Sequence, residues 1–216
     1  MAIRKGKTFT FEKEIRVLSS AGVAGRLEGE GPLGKCFDKV FNDTTMGEKA
    51  WEKAESDLLT AAMQTALKKG NLKEADIDAV FAGDLLNQCI SSSFSLRGMD
   101  VPFCGMFGAC STMALSSIAA CLSIESGAMN ISMAATSSHF CSAEKQFRFP
   151  LEYGGQRTPT AQRTVTGAGA LILSESESEV LPRIKAAHLG TVVDLGIIDS
   201  TNMGAAMAPV DVKIEP

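Results

Sequence analysis

Four short apolar runs constrain this chain more than any other feature: "AVFAG" at 79–83, "VPFCGM" at 101–106, "ISMAA" at 131–135 and "GAGALIL" at 167–173. Each has the length of one strand and is nearly continuous in apolar or small residues. That is the mark of strands covered on both faces rather than one. Helical spacing fills the chain between and before them. Ala54, Leu58, Ala62 and Ala66, beside Leu59, Met63 and Leu67, predict an amphipathic helix, with Gly70-Asn71 as its stop. Thr45-Met46-Gly47-Glu48 reads as its capping box. Residues 93–98 predict a short helix, and 111–126 a central helix, apolar nearly all round. The alternation predicts an α/β fold with a mixed, mostly parallel sheet covered on both faces.

The remaining segments are less regular. Residues 9–11 and 15–18 read as short strands or a hairpin, and 184–193 as a further strand. The stretch "SSAGVAGRLEGEGPLGK" at 19–35 lacks the Lys-Ser/Thr ending of a phosphate cradle and reads as a long surface loop. Residues 137–164 form a long polar excursion, and "SESESE" at 174–179 a solvated turn.

Composition excludes several classes. The 216 residues are 45% hydrophobic, enough for a substantial core in one large domain or two small ones. The net charge is −4, with no basic stripe for nucleic acid and no polybasic cluster for anionic lipid. The N-terminal residues carry charges throughout and do not read as a signal peptide. The most apolar window, 111–135, is broken by Glu125, Ser126, Gly127 and Asn130, so it reads as two buried elements and a turn, not a membrane span. Six cysteines show no CxxC pair and no zinc spacing, so no metal site and no cofactor is expected. Cys36, Cys89, Cys104, Cys121 and Cys141 read as reduced, small and mostly buried residues of a cytosol-facing protein.

In a parallel sheet, ligands gather beyond the carboxyl ends of the strands. Three polar clusters follow strands directly: Asp84 with Asn87, Cys110 with Ser111 and Thr112, and Thr136-Ser137-Ser138-His139. Cys110 stands where a strand gives way to a helix. A helix N-terminus favours thiolate, so Cys110 is either an activated nucleophile or a buried neutral thiol. The chain has two histidines. His139 is a candidate base or a loop-holding group, and His188 a packed residue of a strand. Lys145, Arg148, Arg157 and Arg163 lie near Phe149 and Tyr153. Arginines grip carboxylates in pairs and aromatics stack on flat rings, so this supply suits a small aromatic acid. For any single basic residue, a solvated or dimer-contact loop is the favoured reading.

Four segments carry a resemblance: "FAGDLLNQ" (81–88), "FGACSTM" (107–113), "AATSSHFCSAEKQFRFPLEYGGQRTPTAQRTVTGAGALILS" (134–174) and "VVDLGIIDSTNMGAAMAP" (192–209). They resemble the stage V sporulation AD family of spore-forming Bacillota, within the thiolase-like superfamily. The resemblance implies an α-β-α layered half with a five-stranded sheet, and a homodimer in which the strand at 130–135 pairs across the two-fold axis. It places Cys110 at the superfamily's nucleophile position. It implies binding of dipicolinic acid, pyridine-2,6-dicarboxylate, for uptake into the spore. The expected setting is cytoplasmic or peripheral at the spore inner membrane, beside stage V membrane proteins. The candidate ligand-binding set is Asp84, Asn87, Cys110, Ser138, His139 and Arg148. Calcium accompanying the ligand is open, with Asp194 and Asp199 as possible contacts.

The superfamily's second half, which supplies the rest of a condensing active site, is expected to begin after Ala208-Pro209. Residues 1–216 therefore read as the first half with the start of the second. Three functions remain: a dipicolinate-binding scaffold without turnover, an acyltransferase or condensing enzyme that uses Cys110 as thioester nucleophile, and a structural subunit that docks on membrane partners.

Overall fold

The computed structural model describes residues 2–147, 163–191 and 196. Among them the chain runs β1 (Ile3–Lys5), β2 (Thr8–Thr10), β3 (Ile15–Gly25), α1 (Arg26–Gly29), β4 (Lys39–Phe41), α2 (Trp51–Gly70), β5 (Ala79–Gly83), α3 (Ile90–Leu96), β6 (Phe103–Gly105), α4 (Thr112–Glu125), β7 (Ile131–Ser138), α5 (Phe140–Phe147), β8 (Gly167–Glu175) and β9 (Ala186–His188). Six strands form the main sheet in the order β4-β3-β8-β7-β5-β6. β8 runs antiparallel to both its neighbours, and the other pairings are parallel. The sheet is thus mixed and mostly parallel, as expected. It has six strands instead of five because three-residue β4 extends one edge.

Strand alternation divides the core in two. Val80, Ala82, Met133, Ala135, Ala170 and Ile172 face α2, packing on Leu58, Leu59, Met63 and Leu67. Ala79, Phe81, Ala134 and Leu173 face α4, packing on Ala120, Cys121 and Ile124. α2 and α4 therefore cover opposite faces. The small residues on β5, β7 and β8 let both helices lie close to the sheet.

α2 begins without the expected capping box. Its N-cap is Ala50, with no side-chain cap bond. Thr45 instead accepts from the Gly47 N–H and donates to Asp43, while Glu48 pairs with Lys53. Packing makes the cap dispensable. Burying Leu58, Leu59 and Met63 contributes about 1.5–3 kcal/mol each, against ~1 kcal/mol for a cap. At the other end the expected stop is found: Asn71 is left-handed (φ 51°) and its N–H closes on Leu67 and Lys68.

Other expectations need correction. The glycine-rich stretch is not all loop: residues up to Gly25 belong to β3, an 11-residue strand inside the sheet. Ala21, Val23 and Ala24 are buried there, and small residues had disguised a strand as a loop. The run at 101–106 yields only three strand residues, on an exposed edge. The excursion after β7 contains α5. Strand β9 leaves the main sheet and joins β1 and β2 in a small antiparallel sheet. The strand at 130–135 cannot pair across a two-fold axis, because β7 already holds β5 on one edge and β8 on the other. Among the described residues the edge strand at that end of the sheet is β6. Cys36 and Cys104 are exposed, not buried.

Candidate functional site

The ends of β5, β6 and β7 converge at one end of the sheet, and the three expected clusters follow them. Gly83 closes β5 under tight constraint: a Cβ there would lie 1.8 Å from the Met106 carbonyl oxygen. This close approach binds the exit of β6 to β5, and the Met106 N–H donates to Ala82 at 2.8 Å. Thr136 of β7 completes the junction by donating to the Gly83 carbonyl at 3.0 Å.

Cys110 sits in a 3-10 turn, Ala109–Ser111, that leads into α4. Ala109 is left-handed (φ 46°), a conformation that costs a non-glycine residue about 1–2 kcal/mol. Hydroxyls hold the turn. Thr112 Oγ1 accepts from the Gly108 N–H at 3.2 Å and donates to the Ala109 carbonyl at 2.8 Å. Ser111 donates to the Gly108 carbonyl at 2.7 Å. Cys110 is presented to solvent at the head of α4. Gln88 and Cys89 are also left-handed, so the loops after both β5 and β6 carry backbone strain at this end of the sheet.

Asp84 is fully buried. It accepts from the Leu86 N–H at 2.9 Å and from the N–H and hydroxyl of Ser92 at 2.7 and 2.6 Å. It thereby anchors α3, which packs beside α2. Asn87 is exposed, and its N–H donates to Gln146 at 3.3 Å. Ser138 donates to the Val165 carbonyl.

His139 is 1% exposed and packs against the Trp51 ring, centroids 5.4 Å apart. Its Nδ1 accepts from the Cys141 N–H at 3.1 Å, so the proton belongs on Nε2, which donates to the Thr44 carbonyl at 2.8 Å. Burial pushes the imidazole below its usual range, so it is neutral. His188 lies in β9, its Nδ1 2.9 Å from the Thr8 hydroxyl.

The clusters therefore share one end of the sheet but not one face. Asp84 and His139 turn toward the α2 side and are engaged there. Cys110 heads the helix on the other side. Arg148 lies outside the described residues, as do Phe149, Tyr153, Arg157, Asp194 and Asp199. Of the remaining basic candidates, Lys145 pairs with Glu52 at 2.6 Å. Arg163 lies over the Phe140 ring, 4.2 Å from its centroid.

One group escaped the sequence reading. Glu55 of α2 is fully buried, with Ser137 Oγ 3.1 Å and Ser142 Oγ 2.5 Å from its carboxyl oxygens. Burial is the main cause that raises it to about 7, and Asp84 adds to the rise. The signal was available: Glu55 stands four residues before Leu59 on the apolar stripe of α2.

The stage V sporulation protein AD (SpoVAD) family matches residues 5–214 of the chain. This chain belongs to that family. It is 44% identical over 209 residues to stage V sporulation protein AD of Bacillus subtilis (strain 168), which covers 97% of the chain and 61% of that protein. The chain thus spans less than two thirds of the length of this relative. Solved structures resemble its fold. A point variant of OleA from Xanthomonas campestris is 16% identical with a TM-score of 0.55, over 82% of this chain and 62% of that one. Another OleA variant of the same organism, bound with cerulenin, is 14% identical with a TM-score of 0.57, over 81% and 61%. The fold of this family member is therefore thiolase-like. Among the described residues no helix is long and apolar enough to cross a membrane.

Proposed function

We propose that the chain binds dipicolinic acid as a non-catalytic thiolase-like scaffold, in the service of its uptake into the spore. In this reading residues 1–216 form the first thiolase-like half with the start of a second, the protein acts beside stage V membrane proteins, and it is a homodimer. The observation that carries the non-catalytic part is where the two imidazoles are spent. His139 is locked between Thr44 and Cys141, and His188 bonds Thr8 in the small sheet. Within residues 1–216 neither stands ready to take a proton from Cys110, and nucleophilic catalysis needs such a partner or an equivalent field, which the second half would have to supply. The ligand's chemistry is supported by Arg163 over Phe140. A guanidinium already held on an aromatic ring keeps its N–H edge for a carboxylate, and a flat dianion offers two.

A second reading, acyl transfer through a Cys110 thioester, is favoured by one feature. The thiol is exposed at a helix start behind a strained residue. Calorimetric titration with dipicolinate separates the two. Saturable binding that weakens in Arg163→Ala, with no acyl adduct on Cys110 after incubation with acyl-CoA, supports the scaffold. No binding together with a stoichiometric adduct by intact mass would replace it with the enzyme.

A further inference from the structure

We propose that Glu55 is held as a neutral carboxylic acid and acts as a positioning residue, clamping α2 to the corner between β7 and α5. That corner carries Ser138 and His139, and its bearing on a ligand rests on the dipicolinate reading. The clamp itself does not.

The hydrogen bonds accommodate the neutral acid, and full burial without a cation requires it. Ser142 Oγ lies 2.5 Å from Glu55 Oε2 and 3.0 Å from the His139 carbonyl oxygen. A hydroxyl has one hydrogen. If Glu55 is ionised, the Ser142 hydrogen goes to the carboxylate and the His139 carbonyl keeps only the Ala143 N–H at 3.0 Å. If Glu55 carries a proton, its O–H donates to Ser142 Oγ, and the Ser142 hydrogen serves the carbonyl. Ser137 Oγ donates to the other oxygen at 3.1 Å. Every hydrogen then has an acceptor, and α2, the end of β7 and the start of α5 are joined through one carboxyl.

The surroundings argue the same way. Besides Lys53, Asp57, Lys68 and Lys69, none of them buried, the charged and titratable groups on the packed elements are Glu52 on α2, Asp84 after β5, Cys89 before α3, His139 after β7, and Cys141, Glu144 and Lys145 on α5. Asp84 and Glu52 both oppose a charge on Glu55. Lys145 is bound to Glu52, and His139 is neutral. A fully buried carboxylate without a cation is costly, and the group keeps its proton instead.

The sign of the pH dependence follows. Below about 4.5 both folded and unfolded chains carry the proton. Above that, the unfolded chain loses it while the folded chain keeps it, so stability falls as pH rises, and the fall is complete once pH passes about 7. The test is side-chain carboxyl NMR on the full chain with labelled glutamate, with thermal midpoints of wild type and Glu55→Gln between pH 5 and 9. The glutamine amide donates as the acid does. The expected result is one glutamate still protonated at pH 6, and a wild-type midpoint that falls toward pH 8 relative to the variant. A full set of glutamates titrating in the ordinary range, or parallel midpoint curves for the two proteins, overturns the proposal. If the variant does not fold, the wild-type NMR decides alone. Neither measurement uses a ligand, so failure to bind dipicolinate would sink the functional reading without touching this one.

Discussion

Asp84 grips Ser92 twice, through its backbone N–H at 2.7 Å and its hydroxyl at 2.6 Å. With the Leu86 N–H added, one buried carboxylate ties the end of β5 to α3. This gives Asp84 a structural duty that any ligand role must share. Asp84→Ala leaves two backbone N–H groups without their acceptor, at about 1–3 kcal/mol each. For a chain of this size each kcal/mol lowers the midpoint by about 2–4 °C. Scanning calorimetry without ligand should therefore show a drop of several degrees. An unchanged midpoint would mean that the carboxylate holds nothing and is free for a ligand.

His139 makes an opposite pH signature to that of Glu55. Burial depresses the folded imidazole below its usual range. The stability it supports is present above the unfolded value, about 6.5, and is lost as pH falls through the folded one. In the Glu55→Gln background, which removes the opposing Glu55 effect, urea midpoints should thus fall between pH 7 and pH 5. Imidazole nitrogen NMR should find the proton on Nε2, opposite Thr44. A proton on Nδ1, or an imidazolium at pH 7, would contradict the locked ring and revive His139 as a base for Cys110.

Much of this fold was legible because its strands are buried on both faces. Apolar runs such as 79–83 and 167–173 are too short for a helix and fit a buried strand, and α2 declared itself through Leu58, Leu59 and Met63. The misreadings share a cause. Apart from Val23, β3 is built from Ser, Ala and Gly at 19–25, small residues that pack closely and look like a loop. The supposed cap at Thr45 formed a local turn because Met46 and Gly47 are left-handed. At the site, sequence order brought Asp84, Cys110 and His139 to one end of the sheet. It did not reveal the face, since strand parity decides that: Ser137 and His139 turn to α2, while α4 starts on the far side. Glu55 was hidden by the habit of reading a glutamate in a helix as solvated.

The cysteines should divide by exposure. Cys36, Cys104 and Cys110 are exposed, whereas Cys121 lies under α4 and burial pushes its thiol up to about 12. Against an ordinary value of 9.0, that leaves about a thousandfold less thiolate at pH 8. Brief treatment with iodoacetamide followed by peptide mass spectrometry should label the three exposed thiols first. Cys121 should label only after unfolding. Early modification of Cys121 would show that α4 is not seated on the sheet as described.

The homodimer proposal can be put on β6. Among the described residues its outer edge has no partner strand, and an unpaired strand edge is a template for another strand. Phe94 and Phe107, which flank it on α3 and on the following loop, are 52% and 55% exposed. An edge strand with apolar neighbours fits a second copy of the same chain, paired antiparallel about a two-fold axis. Burying a phenylalanine contributes about 1.5–3 kcal/mol, so a charge in its place should weaken association at least tenfold to a hundredfold. Phe107→Glu and Phe94→Glu should convert a dimer to a monomer in sedimentation at micromolar concentration, with the folded CD spectrum kept. A wild type that is monomeric there, or variants that remain dimeric, would remove β6 as the interface.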